Sequence, residues 1–483
     1  MKRMGILWVV LLGLGQPAWG AENLRESAVT AMEKATRFFT QEIATQGGYL
    51  WVYRKDLSMR QGEEVATPSM IWVQPPGTPA VGMVFLEAFE ATGDDRYLEA
   101  AKQAAHALAW GQLASGGWDY RVDFDPAKSK EWYYRRDVEA GEKQKGKRRN
   151  RTTLDDDNTQ SALRLLMRVD KALGFQDATV RQAVQYGLDA LLRAQYSNGA
   201  WPQRFEEAPN PGLFPVRKAR YPESWSWTYP QERYYTYYTF NDNTIADVIE
   251  TMVEAYHTYS DTTYLAAAKR GGTFIILAQM PEPQPGWAQQ YNEQMEPVWA
   301  RRFEPPSVTG GESFGVMRAL LDLYVETGEE RFRAPVLKAL AWLRRSLLPD
   351  GRLARFYELK TNKPLYFTKE YVLTYSDADM PTHYAFKVSG ESRIEGVQAY
   401  YDRIAEAGRE SVLKEKWNRD PGRVDSERVK EVIDALDEEG RWVEKGWLWH
   451  PENHQERVET EVISCRTFNR NLRLLSRYVN SQK

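Results

Sequence analysis

The sequence predicts an all-α protein, an (α/α) toroid or barrel of repeated helical hairpins whose long loops form a cleft on one face. Three observations carry this. Apolar residues recur at three- and four-residue spacing, as at Leu163, Leu166, Val169 and Leu173, the pattern of a helix that buries one stripe. A grammar of helix, short turn, helix and glycine–aromatic stop returns several times, and hairpins of this kind bury their apolar faces only by stacking on one another. The connections between repeats are long and varied, which favours a ring over an open solenoid, because such loops then converge on one side.

The elements follow in order. Residues 1–20 have a basic start (Lys2, Arg3), an apolar run from Gly5 to Leu14 and a small-residue end at Ala18-Trp19-Gly20. They read as a secretory signal peptide cleaved before Ala21, so a secreted or periplasmic protein is expected. The apolar run is too short to span a bilayer, and no later stretch is long enough. Residues 28–53 resemble the second half of a repeat. Complete units follow at 81–120, 157–205, 242–291 and 312–358. Two inserts stand between units, 121–152 with the basic run "GEKQKGKRRNR" and 206–239 with the aromatic run "RYPESWSWTYPQERYYTYYTF". Both precede acidic helix starts and are expected to rim the cleft. The toroid is assigned to 21–395. Residues 396–483 are read as a helical extension that packs on the ring or closes it, with Asp425 or Ser426 as an N-cap.

Removal of Lys2 and Arg3 reduces the 64 basic side chains to 62, against 67 acidic ones. That balance excludes a general nucleic-acid binder. Cys465 is the only cysteine, so there is no internal disulfide and no cysteine cluster for zinc. Seventeen Trp, 27 Tyr and 17 Phe suit either a large core or the C–H faces of sugar rings. The five histidines show neither HExxH nor a nucleophile elbow. His450 and His454 are separated by Pro451 and read as surface residues.

The chemistry concentrates at two matching unit starts, "LDDDNT" (154–159) and "TFNDNT" (239–244). One Asp at each start is explained as an N-cap, which covers Asp157 and Asp242. Asp155 and Asp156 remain, and carboxylates crowded together call for a cation. Oxygen ligands with no His or Cys nearby point to calcium. A third segment, "GWAQQYNEQMEPVWARRFEPPSVTGGES" (286–313), is an irregular loop that carries Arg301 and Arg302. An Arg pair pairs readily with Glu304 or Glu312. In a cleft that also holds acids and a cation, fixed arginines suit a sugar-acid polymer.

"TLDDDNTQSALRLL", "GAWPQRF", "TFNDNTIADVI", the Arg301 block and "RFYELKTNKPLYF" resemble, in this order, the blocks of the family 10 pectate lyases. The likeness runs from about residue 45 to 375, with weaker traces in "GRWV" and "RTFNRNL". It implies an (α/α) toroid that cuts polygalacturonate by calcium-dependent β-elimination. It also implies Asp155 at the calcium and substrate site, Asp242 as a second acid there, and Arg301 as the base that takes the C5 proton. Asp156, Asn241, Arg302 and Trp201 are expected substrate contacts. Lys369 stands where the family has a further substrate-binding arginine; it keeps the charge and loses the fork. A neighbouring charge such as Arg302, or the metal, is expected to depress the Arg301 pKa, and an alkaline optimum follows. The expected partner is an acidic polysaccharide (polygalacturonate), and a monomer is expected. Two other readings stay open: an inverting glycoside hydrolase on the same toroid, and a non-catalytic periplasmic carbohydrate-binding protein.

Overall fold

In the computed structural model the described residues are 21–483, apart from 232–233, 419–421, 423 and 454–455. The expected signal peptide and His454 therefore lie outside the described residues. About 48% of the described residues are helical. The helices are α1 (Ala21–Phe38), α2 (Thr78–Thr92), α3 (Asp95–Trp110), α4 (Arg135–Glu139), α5 (Asn158–Ala172), α6 (Ala178–Ala194) and α7 (Thr244–Tyr259). They continue with α8 (Thr262–Ala278), α9 (Ser313–Thr327), α10 (Glu330–Arg345), α11 (Glu391–Ala407), α12 (Arg409–Asn418), α13 (Ser426–Asp434) and α14 (Cys465–Ser481).

Each repeat is a closed unit. A short strand leads into an inner helix, an outer helix returns, and an exit strand pairs antiparallel with the lead-in. Met70–Trp72 pairs with Arg121–Asp123 around α2/α3, and Thr152–Thr153 with Arg204–Phe205 around α5/α6. Tyr238–Thr239 pairs with Gln290–Tyr291 around α7/α8, and Val308–Thr309 with Phe356–Tyr357 around α9/α10. Inner helices pack side by side in the order α14, α2, α5, α7, α9, α11, with the outer helices behind them, which makes an (α/α) toroid. Most of the apolar core lies between the two layers.

The chain ends form one of these units. Strand Arg457–Ser464 leads into α14, α1 packs behind it, and Val52–Arg54 leaves α1 to pair with that lead-in. The C-terminal segment thus supplies an inner helix of the ring. It is also not wholly helical: Val443–Trp449 and Arg457–Ser464 form an antiparallel hairpin. Alternation of outward polar and inward apolar residues across "RVETEVIS" is a strand pattern. The expected boundary at 395/396 falls inside α11.

A tryptophan pins the stop of four units. Trp118, Trp201 and Trp442 donate Nε1–H to the carbonyls of Leu108, Leu191 and Val432, ten residues upstream on the outer helix, at 2.8, 2.9 and 2.8 Å. Trp287 donates to Ile275, twelve residues upstream, at 2.8 Å. Burying an indole requires a partner for its N–H, and the last turn of an outer helix has free carbonyls to offer. Among the described residues no helix is long and apolar enough to cross a membrane.

Candidate active site

The outer helices begin conventionally. Asp94, Asp177 and Asp261 each cap their own helix, accepting from the backbone N–H of Arg96, Val180 and Thr263. The inner helices α5 and α7 begin differently. Asp156 and Asp157 take φ values of +51° and +57°, and Asp242 and Asn243 take +47° and +59°. Two consecutive left-handed residues without glycine cost roughly 1–3 kcal/mol each, and only Asn and Asp tolerate the region well. None of the four makes a capping hydrogen bond. The N-cap reading of Asp157 and Asp242 is therefore corrected: Asp157 turns into the bore and pairs with Arg164 Nη2 at 2.5 and 2.6 Å. Asp155 and Asp156 in one unit match Asn241 and Asp242 in the next, residue for residue.

The turns face each other, and carboxylate oxygens of Asp155, Asp156 and Asp242 come within 4.8 Å of one another. Asp155 is buried. Its Oδ2 accepts from Tyr120 Oη at 2.8 Å and lies 3.5 Å from Arg204 Nη2, while its Oδ1 is buried with no partner. Desolvation, then the charges of Asp155, Asp242 and Glu63, push the Asp156 pKa up to about 7, with Arg301 opposing. Asp242 is open to solvent on one side, yet desolvation in the cleft, Asp155 and Glu312 push it up to about 6, again against Arg301. An all-oxygen cluster with an orphaned buried oxygen and mutual repulsion fits a hard divalent cation. The charge of Arg301 is thus near enough to act on Asp156 and Asp242.

Arg301 is held by Glu304, which accepts its backbone N–H at 3.0 Å and its Nη2 at 2.5 Å. Burial works against the guanidinium charge. The hydrogen bond and charge of Glu304, with Tyr384 and Tyr234, overcome that and raise the pKa above the ordinary arginine value. The expected depression by Arg302 does not occur, because Arg302 turns outward and lies over the Tyr371 ring at 3.6 Å. Glu312 pairs with Arg355 instead of the Arg301 pair, at 2.9 Å. Lys369 is exposed and bridged to Asp379 at 3.1 Å. Asn241 is buried and donates its side-chain amide to Asp242.

Trp201 is not a sugar contact. It is fully buried, hydrogen-bonded to Leu191 and packed against Gly271. Trp201→Ala should cost about 3–5 kcal/mol and lower the urea midpoint of unfolding while KM stays as it was. A raised KM at unchanged stability would return Trp201 to the binding surface.

Several groups were not singled out from the sequence, although Arg204 lies in "GAWPQRF" and Arg355 opens "RFYELKTNKPLYF". Tyr120 and Arg204 flank Asp155. Glu63 is close enough to act on Asp156, and Trp449 of the C-terminal hairpin holds its backbone carbonyl at 3.0 Å. Tyr384 donates to Glu304 at 3.0 Å, and Arg355 donates to Glu312 at 2.9 Å and to Tyr384 at 3.1 Å. This network runs unbroken from Arg301 to Arg355. One signal pointed to it: "RLARFYE" occupies the exit-strand position where earlier units place "RVD" and "RF".

A family model described as pectic acid lyase matches residues 125–353. No curated protein matches the chain. Among solved structures, a mutant of a family 10 polysaccharide lyase from Cellvibrio cellulosa, in complex with trigalacturonic acid, is 20% identical over 68% of this chain and 98% of its own, with a TM-score of 0.46. Another structure of a family 10 polysaccharide lyase from Cellvibrio cellulosa is 21% identical over 69% and 97%, with a TM-score of 0.46. A cellobiose 2-epimerase from Bacillus thermoamylovorans B4167 is 13% identical over 95% and 100%, with a TM-score of 0.45. By the match over residues 125–353, this chain is a lyase akin to the pectic acid lyases.

Proposed function

We propose that the chain is a pectate lyase that cleaves polygalacturonate, or a closely related uronate polymer, by calcium-dependent β-elimination with Arg301 as the base. The observation that carries this reading is the acid trio within 4.8 Å facing an arginine whose charge acts on two of its members. Asp155, Asp156 and Asp242 would hold the cation, and Ca²⁺ when bound would draw charge out of the substrate carboxylate and make the adjacent C5 proton more acidic. The chain's own residues do the rest. Arg204 and Tyr120 orient Asp155. Arg355, a fork fixed by Glu312 and Tyr384, offers a fixed cation beside Asp242 for a uronate carboxylate. Arg301 in its neutral form takes the C5 proton. The C5–H electrons become the C4–C5 double bond, the C4–O bond breaks, and the leaving oxygen is protonated from solvent.

The hydrolase alternative fits less well. Inverting hydrolysis needs carboxyl groups about 6.5–9.5 Å apart, so that a water fits between them, and these acids approach within 4.8 Å. Absorbance of unsaturated product from polygalacturonate, with and without EDTA, tests the proposal. Product that forms without absorbance, or that forms equally in EDTA, would contradict it. Asp242→Asn should lose roughly 100-fold or more in activity and weaken calcium binding in calorimetry. Because Asp156 and Asp242 carry protons up to about 7 and 6, a bound cation displaces them. Affinity should therefore rise between pH 5.5 and 8 with release of protons, and a pH-independent affinity would remove these acids from the binding site.

A further inference from the structure

The basic insert contains a cavity of its own. It has a volume of about 580 Å³, and its wall includes Trp110 and Phe124, the cations Lys130, Arg136 and Arg148, and the carboxylates Asp137 and Glu142, a size that suits one or two sugar rings. It is separate from the acid trio. Tyr120, which touches Asp155, and Phe124 stand at opposite ends of strand Arg121–Asp123, roughly 13 Å apart at a strand's rise per residue.

Its charges are unevenly satisfied. Arg148 is engaged by Asp137 at 3.2 Å and Glu142 at 2.5 Å. Arg136 is not: among the described residues no carboxylate lies within ion-pair reach of it or of Lys130. Its guanidinium lies over the Trp110 ring at 3.7 Å and the Tyr134 ring at 4.9 Å, and its Nε is buried with no acceptor. Trp110 and Phe124 meet at 4.5 Å with planes 42° apart, an apolar corner. A planar donor fork left unpaired against such a corner matches a carboxylate on an otherwise apolar ring face.

We infer that this pocket is a second, non-catalytic binding site for a uronide, with Arg136 and Lys130 facing the carboxylate and Trp110 and Phe124 facing the ring. It rests on the pectate lyase reading only for the choice of sugar acid. Such a site would hold the polymer, or a released product, on the insert side of the cleft mouth without taking part in bond cleavage.

The experiment uses the full chain with the central site silenced by Asp155→Asn and Asp242→Asn, in EDTA, with digalacturonate followed by calorimetry and tryptophan fluorescence. One digalacturonate should bind per chain. Arg136→Gln in that background should weaken it roughly 10- to 100-fold, the loss of a charge-assisted hydrogen bond, and Arg136→Lys should weaken it less. In the parent chain Arg136→Gln should leave turnover of a trimer unchanged. Binding that ignores Arg136→Gln would overturn the proposal. So would sulfate competing as well as digalacturonate, which marks a plain anion site, or neutral digalactose binding equally, which removes the carboxylate. Absence of unsaturated product from the parent, beside Arg136-dependent binding, would overturn the lyase reading and leave the pocket standing. Normal product formation beside Arg136-independent binding would do the reverse.

Discussion

Arg301→Lys should lower kcat on polygalacturonate by roughly 10²- to 10⁴-fold, the range of a lost general base, while calcium affinity and the urea midpoint stay close to the parent's. Lysine is the informative replacement. Glu304 is 2% exposed and paired with Arg301; truncation to alanine would leave that carboxylate with Tyr384 and a backbone N–H but no cation, a loss of stability that would confound the rate. Lysine keeps the charge opposite Glu304 and loses the fork and its placement. The pH profile is the second readout. Arg301 has its pKa raised by Glu304, Tyr384 and Tyr234 over the opposing effect of burial, so at neutral pH the neutral base is a rare form. Its fraction grows tenfold with each pH unit below that pKa, and kcat should climb steadily into the alkaline range. On the acid side, protonation of Asp156 and Asp242 below about 7 and 6 adds a further loss by weakening cation binding. Strong activity at pH 5, or an Arg301→Lys enzyme with parental kcat, would remove Arg301 from the proton-transfer role.

How far the sequence could be read depends on the physical length of each signal. Helix pairs, their apolar stripes and the repeated stops are periodic over tens of residues, so the toroid and its units were legible. The crowded acids were legible because three adjacent carboxylates have no ordinary structural explanation. The conformation was not: a helix start with Asp reads as an N-cap, and only the backbone shows that Asp156 and Asp242 sit in left-handed turns while Asp157 pairs with Arg164 inside the bore. Trp201 misled for a similar reason. An aromatic beside glycine suits a sugar platform and a helix anchor equally, and the choice lies in a hydrogen bond to a carbonyl ten residues back. Arg355, Tyr384 and Glu63 come from three different units, so no local spacing connects them to Asp155. The unit formed from both chain ends was half legible: residues 28–53 read as the second half of a repeat and 396–483 as an extension that packs on the ring or closes it, but its halves are more than 400 residues apart and no spacing joins them.

That last unit yields the largest expected effect on stability. A chain ending at Ser464 should not fold cooperatively. Helix α14 buries Phe468, Leu472, Leu475, Tyr478 and Val479, and Phe468 stacks on Phe39 at 3.5 Å and meets Phe85 at 5.7 Å. Five such side chains at about 1.5–3 kcal/mol each contribute roughly 8–15 kcal/mol, as much as the whole stability of a typical domain. Its loss would leave α1 without the helix it backs and α2 with one bare flank. The damage would travel to the chemistry, because α2 supports α5, and α5 with α7 sets the distance between Asp155 and Asp242. Circular dichroism and limited proteolysis of the shortened chain should therefore show lost helicity and cleavage across α1 and α2, with no calcium binding left. Phe468→Ala, expected to cost about 3–5 kcal/mol, keeps the helix and should give a graded version of the same failure: a lower urea midpoint with the metal site intact in the folded fraction. A shortened chain that unfolds at the parent's midpoint would mean that the ring is complete without its C-terminal helix.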